Sequence, residues 1–244
     1  MKPERIEILG VPVDCVTRKG AMEAVAGMLA GETARTIVAV NPEKVIRALR
    51  DRELLDAMRN ADLLIPDGIG VVLAARLLNL GRMERVPGSE LMPEICGRAA
   101  REGQPIFLFG SSPEVNARVE EVLRGRFPGI RIAGREHGYL PEGKTAALLD
   151  RINGSGAGVV FVALGSPRQE IWMDRYRSRL RAKVCQGVGG TFDVIAGRVR
   201  RAPLLFRKIH LEWLYRLLAQ PDRILRQTAL PRFAFAVLWK RVFG

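Results

Sequence analysis

Five short polar segments hold the residue types that do chemistry. They are Asn41-Pro42-Glu43, Pro66-Asp67-Gly68, Gly110-Ser111-Ser112, Gly165-Ser166-Pro167-Arg168-Gln169-Glu170, and the run Gly187-Val188-Gly189-Gly190-Thr191-Phe192-Asp193. A carboxylate such as Asp67 can take a proton as a general base. Standing just before a helical pattern, it reads as well as a helix N-cap. Asn41 precedes a proline, which suits an Asx turn as much as a ligand contact. The glycines at 110, 187, 189 and 190 can bare backbone N–H groups to a phosphate or nucleoside, or simply make tight turns. Neither glycine segment is a GxGxxG or a GxxxxGK[ST] motif, so dinucleotide and P-loop readings lack support. Ser166 lies outside a GxSxG pattern and no suitably placed His accompanies it, which excludes a hydrolase elbow. The chain has no DxD pair to hold a divalent metal against a diphosphate. Arginines could supply that counter-charge bidentately. Arg216, Arg223 and Arg226, at seven- and three-residue spacing, align on one helical face, where a solvated basic surface is the plainer alternative.

The elements that must position these segments alternate. Residues 6–9, 36–40, 63–65, 105–109, 130–133, 159–163 and 183–186 read as strands, and 22–29, 42–58, 71–78, 91–101, 113–126, 144–152 and 169–180 as helices. Such alternation predicts βαβ units and an α/β, Rossmann-like fold with a mainly parallel sheet flanked by helices. The unbroken apolar run Val159-Val160-Phe161-Val162-Ala163-Leu164 fits a strand covered on both faces. In open parallel sheets ligands bind at the carboxyl ends of strands, and all five polar segments follow predicted strands.

Charge divides the chain. Of 244 residues, 39 are Lys or Arg and 26 Asp or Glu, a net of +13. Residues 198–244 hold 11 basic against 2 acidic groups, +9 of that total, together with seven of the 15 aromatics. A nearly neutral catalytic domain over 1–197 and a basic, aromatic helical appendage over 198–244 are therefore expected. Part of the excess is bland, since Arg outnumbers Lys 32 to 7 throughout. Three scattered cysteines and two histidines argue against a disulfide framework and a Cys/His metal site. The charged start, Met1-Lys2-Pro3-Glu4-Arg5-Ile6-Glu7, lacks the apolar core of a signal peptide, and no run approaches a spanning helix. A cytoplasmic protein is the expectation.

Taken in order, these segments resemble the WecG/TagA/CpsF family of bacterial glycosyltransferases. Further matching pieces are Glu84-Arg85-Val86-Pro87-Gly88-Ser89, Arg201-Ala202-Pro203, Glu212-Trp213-Leu214-Tyr215-Arg216 and Pro221-Asp222-Arg223-Ile224-Leu225-Arg226. The resemblance spans nearly the whole chain. It implies an inverting, metal-independent transferase without cofactor, moving a sugar from a UDP-sugar to undecaprenyl-diphosphate-linked N-acetylglucosamine. N-acetylmannosamine is the donor sugar in the teichoic-acid branch, while other branches use N-acetylmannosaminuronic acid or other hexoses. Asp67 matches the family's catalytic base. Asn41, Arg85 and Gln169 match site-lining positions, with Gly110, Gly189 and Asp193 on the same rim, and Arg216, Arg223 and Arg226 match arginines that meet the UDP diphosphate. One departure is Ala39, where the family usually has Thr two residues before the Asn.

A lipid-linked acceptor stays in the bilayer, so the enzyme must reach the surface. The terminal run from Leu230 to Phe243 mixes bulky apolar residues with cations, as an interfacial helix does, which predicts peripheral binding to the anionic inner face of the cell membrane. The alternative is that these residues pack on the body or on another subunit; oligomeric state is left open. A nucleic-acid-binding module would also explain +9 but gives no reason for the polar strand-end loops. A nucleotide-binding protein that keeps the fold without catalysis is a further rival.

Overall fold

A computed structural model describes residues 3–141, 143–199, 203 and 228–243. Its centre is a six-stranded sheet of β3 (Arg35–Val40), β4 (Leu63–Pro66), β5 (Ile106–Gly110), β6 (Ile132–Glu136), β7 (Val159–Ala163) and β8 (Val184–Gly187). The spatial order is β4-β3-β8-β7-β5-β6 and every pairing is parallel. Period-2 alternation sends Val38, Val40, Phe107, Phe109, Val160 and Val162 to one face, and Ile37, Ile106, Leu108, Val159 and Phe161 to the other. Both faces are buried, as the continuous apolar runs required.

The first face is covered by α2 (Pro42–Ala48), α3 (Arg52–Asn60), α4 (Ile69–Leu77), α7 (Thr145–Gly154) and α8 (Arg168–Tyr176). Their inward residues include Val45, Leu54, Met58, Val71, Leu149 and Met173. The second face is covered by α1 (Arg18–Ala30), α5 (Gly88–Glu102) and α6 (Pro113–Arg126). A short α9 (Thr191–Ile195) follows β8, and its Phe192 is wholly buried. A last helix, α10 (Ala229–Phe243), lies against α2 and α4. Its Phe233 and Val237, four residues apart on one face, join the same core cluster as Val45 and Val71. Phe235, Leu238, Trp239, Val242 and Phe243 remain exposed.

Several elements differ from the sequence reading. The first strand does not join the parallel sheet. It forms β1 (Arg5–Ile8) of an antiparallel hairpin with β2 (Val11–Asp14), through a two-residue turn with φ of 55° at Leu9 and 81° at Gly10. Arg5 grips Asp14 with two hydrogen bonds of 2.7 and 3.1 Å, and the buried Asp14 accepts the Leu64 N–H at 2.8 Å. The hairpin thus covers the exposed edge of β4, which would otherwise offer unpaired backbone to another chain. The expected helix over 42–58 is two helices. Asp51 accepts the Leu54 N–H at 3.1 Å and starts α3, so the chain turns after α2. The strand expected at 130–133 lies two residues later. The helix expected over 169–180 ends at Tyr176 and passes into a 3-10 turn, Arg177–Arg179.

Cys96 and Cys185 are buried in the two core faces, and Cys15 is half-buried. Burial pushes the Cys96 thiol up to about 12 and raises that of Cys185 as well. Only the thiolate reacts. Native protein alkylated at pH 8 should therefore carry label at Cys15 first, with Cys96 and Cys185 labelled only on unfolding. Peptide mass spectrometry before and after denaturant reads this directly.

Candidate active site

The loops after β4, β3, β8, β7 and β5 leave the carboxyl edge side by side. Asp67, Asn41, Gly189, Gln169 and Gly110 therefore form a row in that order. At about 4.8 Å per strand the row spans roughly 19 Å.

Asp67 sits immediately beyond β4. Its N–H donates to the Val40 carbonyl at 2.7 Å, carrying the β3–β4 ladder one bond past the sheet and tying its loop to that of Asn41. The N-cap position of α4 belongs to Gly68, at φ 111°, which has no side chain to cap the helix. A φ of that sign favours glycine. The half-buried Asp67 therefore stands one residue before the N-cap position of α4. A Cβ on Gly70 would come within 2.7 Å of Pro42 Cγ and 3.9 Å of Phe233 Cε1, so α4, α2 and α10 meet directly behind the two loops.

Asn41 does cap a helix. Its Oδ1 accepts the Lys44 N–H at 2.9 Å, with Pro42 in the first turn of α2. Oδ1 being committed, the Nδ2 group is what the side chain can offer a ligand. Arg85 lies in the segment between α4 and α5. The Val86 N–H donates to the Pro66 carbonyl at 2.8 Å, fixing that segment beside the end of β4 and so beside Asp67. The Arg85 side chain is 18% exposed, and its guanidinium lies 3.7 Å from a Glu90 carboxylate oxygen, which restrains it. A Cβ on Gly88 would lie 3.5 Å from the Ala39 Cβ, so residue 39 faces the start of α5.

Gln169 and Glu170, in the first turn of α8, are both buried. Gln169 Oε1 accepts the Gly189 N–H at 3.0 Å and its Nε2 donates to Glu170 Oε1 at 2.8 Å. Lys44 Nζ donates to the same Oε1 at 2.7 Å, with side-chain exposures of 6% for Lys44 and 0% for Glu170. Burial alone would raise the Glu170 carboxyl. The adjacent Lys44 charge, with hydrogen bonds from Lys44 and Gln169, outweighs it and holds the group below the ordinary carboxylate range. Gly187 must be small here, because a Cβ would sit 2.8 Å from Gln169 Nε2.

The remaining predicted positions fall on the same rim with local structural duties. Gly110, at φ 119°, passes so near β7 that a Cβ would lie 2.5 Å from the Ala163 carbonyl. Ser111 also has positive φ, 57°, and Ser112 caps α6 by accepting the Val115 N–H. The Gly189 N–H is already taken by Gln169. Asp193 is half-buried in α9 and its carbonyl accepts the Val199 N–H at 3.1 Å. Arg216, Arg223 and Arg226 lie outside the described residues. Lys44 was not foreseen: its partner is 126 residues away, and no local spacing marks a buried lysine. Among the described residues, no three His, Cys, Asp or Glu side chains gather as a metal site.

A parallel sheet covered on both faces, with polar groups gathered along its carboxyl edge, defines an α/β enzyme built around that edge. The model of the Glycosyl transferase WecG/TagA/CpsF family matches residues 6–244. The chain belongs to this family, and is a glycosyltransferase of cell-envelope polysaccharide synthesis.

Proposed function

We propose that this enzyme transfers a hexosamine-type sugar, N-acetylmannosamine foremost, from its UDP donor to undecaprenyl-diphosphate-linked N-acetylglucosamine, with inversion and without a metal. The observation that carries the chemical part is the placing of Asp67. It stands at the open end of β4, tied by its backbone to the Asn41 loop and flanked by the Arg85 segment, with Gly68 at the N-cap position of α4. Inversion needs one displacement. The Asp67 carboxylate accepts the proton of the acceptor hydroxyl as that oxygen attacks the anomeric carbon and the UDP oxygen leaves. Asn41 Nδ2 and Arg85 orient the two sugars together with Gln169, which has one Nε2 hydrogen left to offer, and Gly110, Gly189 and Asp193 lie along the same rim. Arg216, Arg223 and Arg226 neutralise the charge developing on UDP, the electrostatic task a divalent ion performs elsewhere.

Support for a membrane-facing acceptor comes from α10. Phe235, Trp239 and Phe243 are exposed and stack in sequence, with ring centroids 6.0 and 4.4 Å apart. Arg232, Lys240 and Arg241 are exposed on the same helix. No helix among the described residues is long and apolar enough to cross a membrane, so α10 would lie in the interface. The donor is the open choice, because Ala39 removes a hydroxyl from beside the α5 start; another UDP-hexose or a uronic acid is the second reading.

Screening UDP-sugars against lipid-linked N-acetylglucosamine, with UDP release followed in EDTA, tests the proposal. Turnover with one hexosamine donor that survives chelation is expected. Loss of turnover in EDTA, restored by a divalent ion, would overturn the metal-free mechanism.

A further inference from the structure

Lys44 joins two loops of the row through buried bonds. Its N–H holds Asn41 Oδ1 at 2.9 Å, and its Nζ holds Glu170 Oε1 at 2.7 Å. Glu170 in turn receives Gln169 Nε2, and Gln169 presents its oxygen to the Gly189 N–H. The chain of bonds runs from the loop after β3, through α8, to the loop after β8, buried in its middle and half-buried at its two ends.

The chemistry of the carboxamide gives this chain a direction. An amide has one donor end and one acceptor end. With Glu170 Oε1 accepting on one side, Nε2 must face it, and Oε1 must then face the Gly189 N–H. Without an acceptor at 170 the amide can turn over and set its NH2 against that N–H, two donors in opposition. The Gly189 loop, with φ of 48°, would lose the bond that anchors it.

A buried ion pair is a weak source of stability compared with apolar groups of the same volume, so its presence calls for another role. We propose that Lys44 and Glu170 are positioning residues. As a pair they fix the orientation of the Gln169 amide and its register with Asn41, and through Gln169 they hold the Gly189 loop at the carboxyl edge. Neither touches substrate. This rests on the reading of Asn41 and Gln169 as substrate contacts, and displacement of a contact by about an ångström costs on the order of a hundredfold in rate.

Removing one partner alone strands a buried charge, so both are replaced together. Two double variants separate positioning from packing. Lys44→Met with Glu170→Leu removes the charges and the acceptor. Lys44→Met with Glu170→Gln removes the charges but keeps an oxygen to accept from Gln169. Thermal midpoint, kcat and KM for donor and acceptor, and backbone amide exchange at Gly189 are measured in the full chain.

The Leu variant should melt near the wild type, lose about 100-fold in kcat with smaller changes in KM, and exchange the Gly189 amide at least tenfold faster. The Gln variant should recover tenfold or more of the lost kcat and restore protection at Gly189. A folded Leu variant with wild-type kcat, or with wild-type protection at Gly189, overturns the proposal. So does a folded Gln variant that recovers neither. Gln169→Ala serves as the control for the underlying reading. If it turns over normally, Gln169 is not a substrate contact, and exchange at Gly189 alone then decides whether Lys44 and Glu170 position the loop.

Discussion

Asp67→Asn is expected to lower kcat by about 100- to 10,000-fold while leaving the fold intact, the range a well-placed general base contributes. The substitution keeps the shape of the side chain and removes its capacity to take a proton. The N–H of residue 67, which continues the β3–β4 ladder to Val40, is untouched by the substitution. Because Gly68 occupies the N-cap position of α4, the residue at that position is not changed. The thermal midpoint should stay within a few degrees, as for most substitutions that leave core and caps untouched. KM should change less than kcat, since proton removal belongs to the transition state and not to binding. Near-normal turnover in the folded variant would remove Asp67 as the base.

Neutralising the exposed cations of α10 should release the enzyme from anionic vesicles without unfolding it. Arg232, Lys240 and Arg241 all point to solvent, while the helix is held by Ala229, Phe233 and Val237. Each cation contributes about 1 kcal/mol at an anionic surface, so replacing all three with Gln costs about 3 kcal/mol, on the order of a hundredfold in partitioning. Turnover of lipid-linked acceptor in such vesicles should fall, whereas turnover of a short-chain soluble acceptor should hold. Phe233→Ala should do the reverse: it loosens α10 from Pro42 and Gly70, behind the Asn41 and Asp67 loops, and should lower turnover with either acceptor. Vesicle sedimentation at two salt concentrations measures the first effect, and unchanged binding of the triple variant would show that α10 does not read the membrane.

The sheet was legible because its strands are buried on both faces. Runs such as Val159-Val160-Phe161-Val162-Ala163 admit little else between helical patterns, and the polar strand-end loops followed from them. What escaped were features set by distant partners. Nothing local distinguishes Arg5–Ile8 from a sheet strand; the buried Asp14, bonded to Arg5 and to the Leu64 N–H, makes it half of a hairpin. The break after α2 was written in Asp51, a favoured N-cap whose signal the helical pattern on either side obscured. Asn41 and Asp67 looked alike, each a polar residue at a helix start. Only the geometry separates them, Asn41 being the cap of α2 and Asp67 standing one residue before the N-cap position of α4. Lys44 and Glu170 were invisible as a pair, since sequence patterns carry no signal across 126 residues.

A single displacement at the carboxyl edge with Asp67 as base must invert the anomeric centre, so the configuration of the product reads it out. An α-linked UDP-sugar and lipid-linked N-acetylglucosamine are incubated with wild type and with Asp67→Asn, and the released disaccharide is read by its one-bond carbon–proton coupling at the new linkage. A β linkage from the wild type is expected, with a product yield reduced at least 100-fold in the variant. An α-linked product, formed with retention, would contradict it.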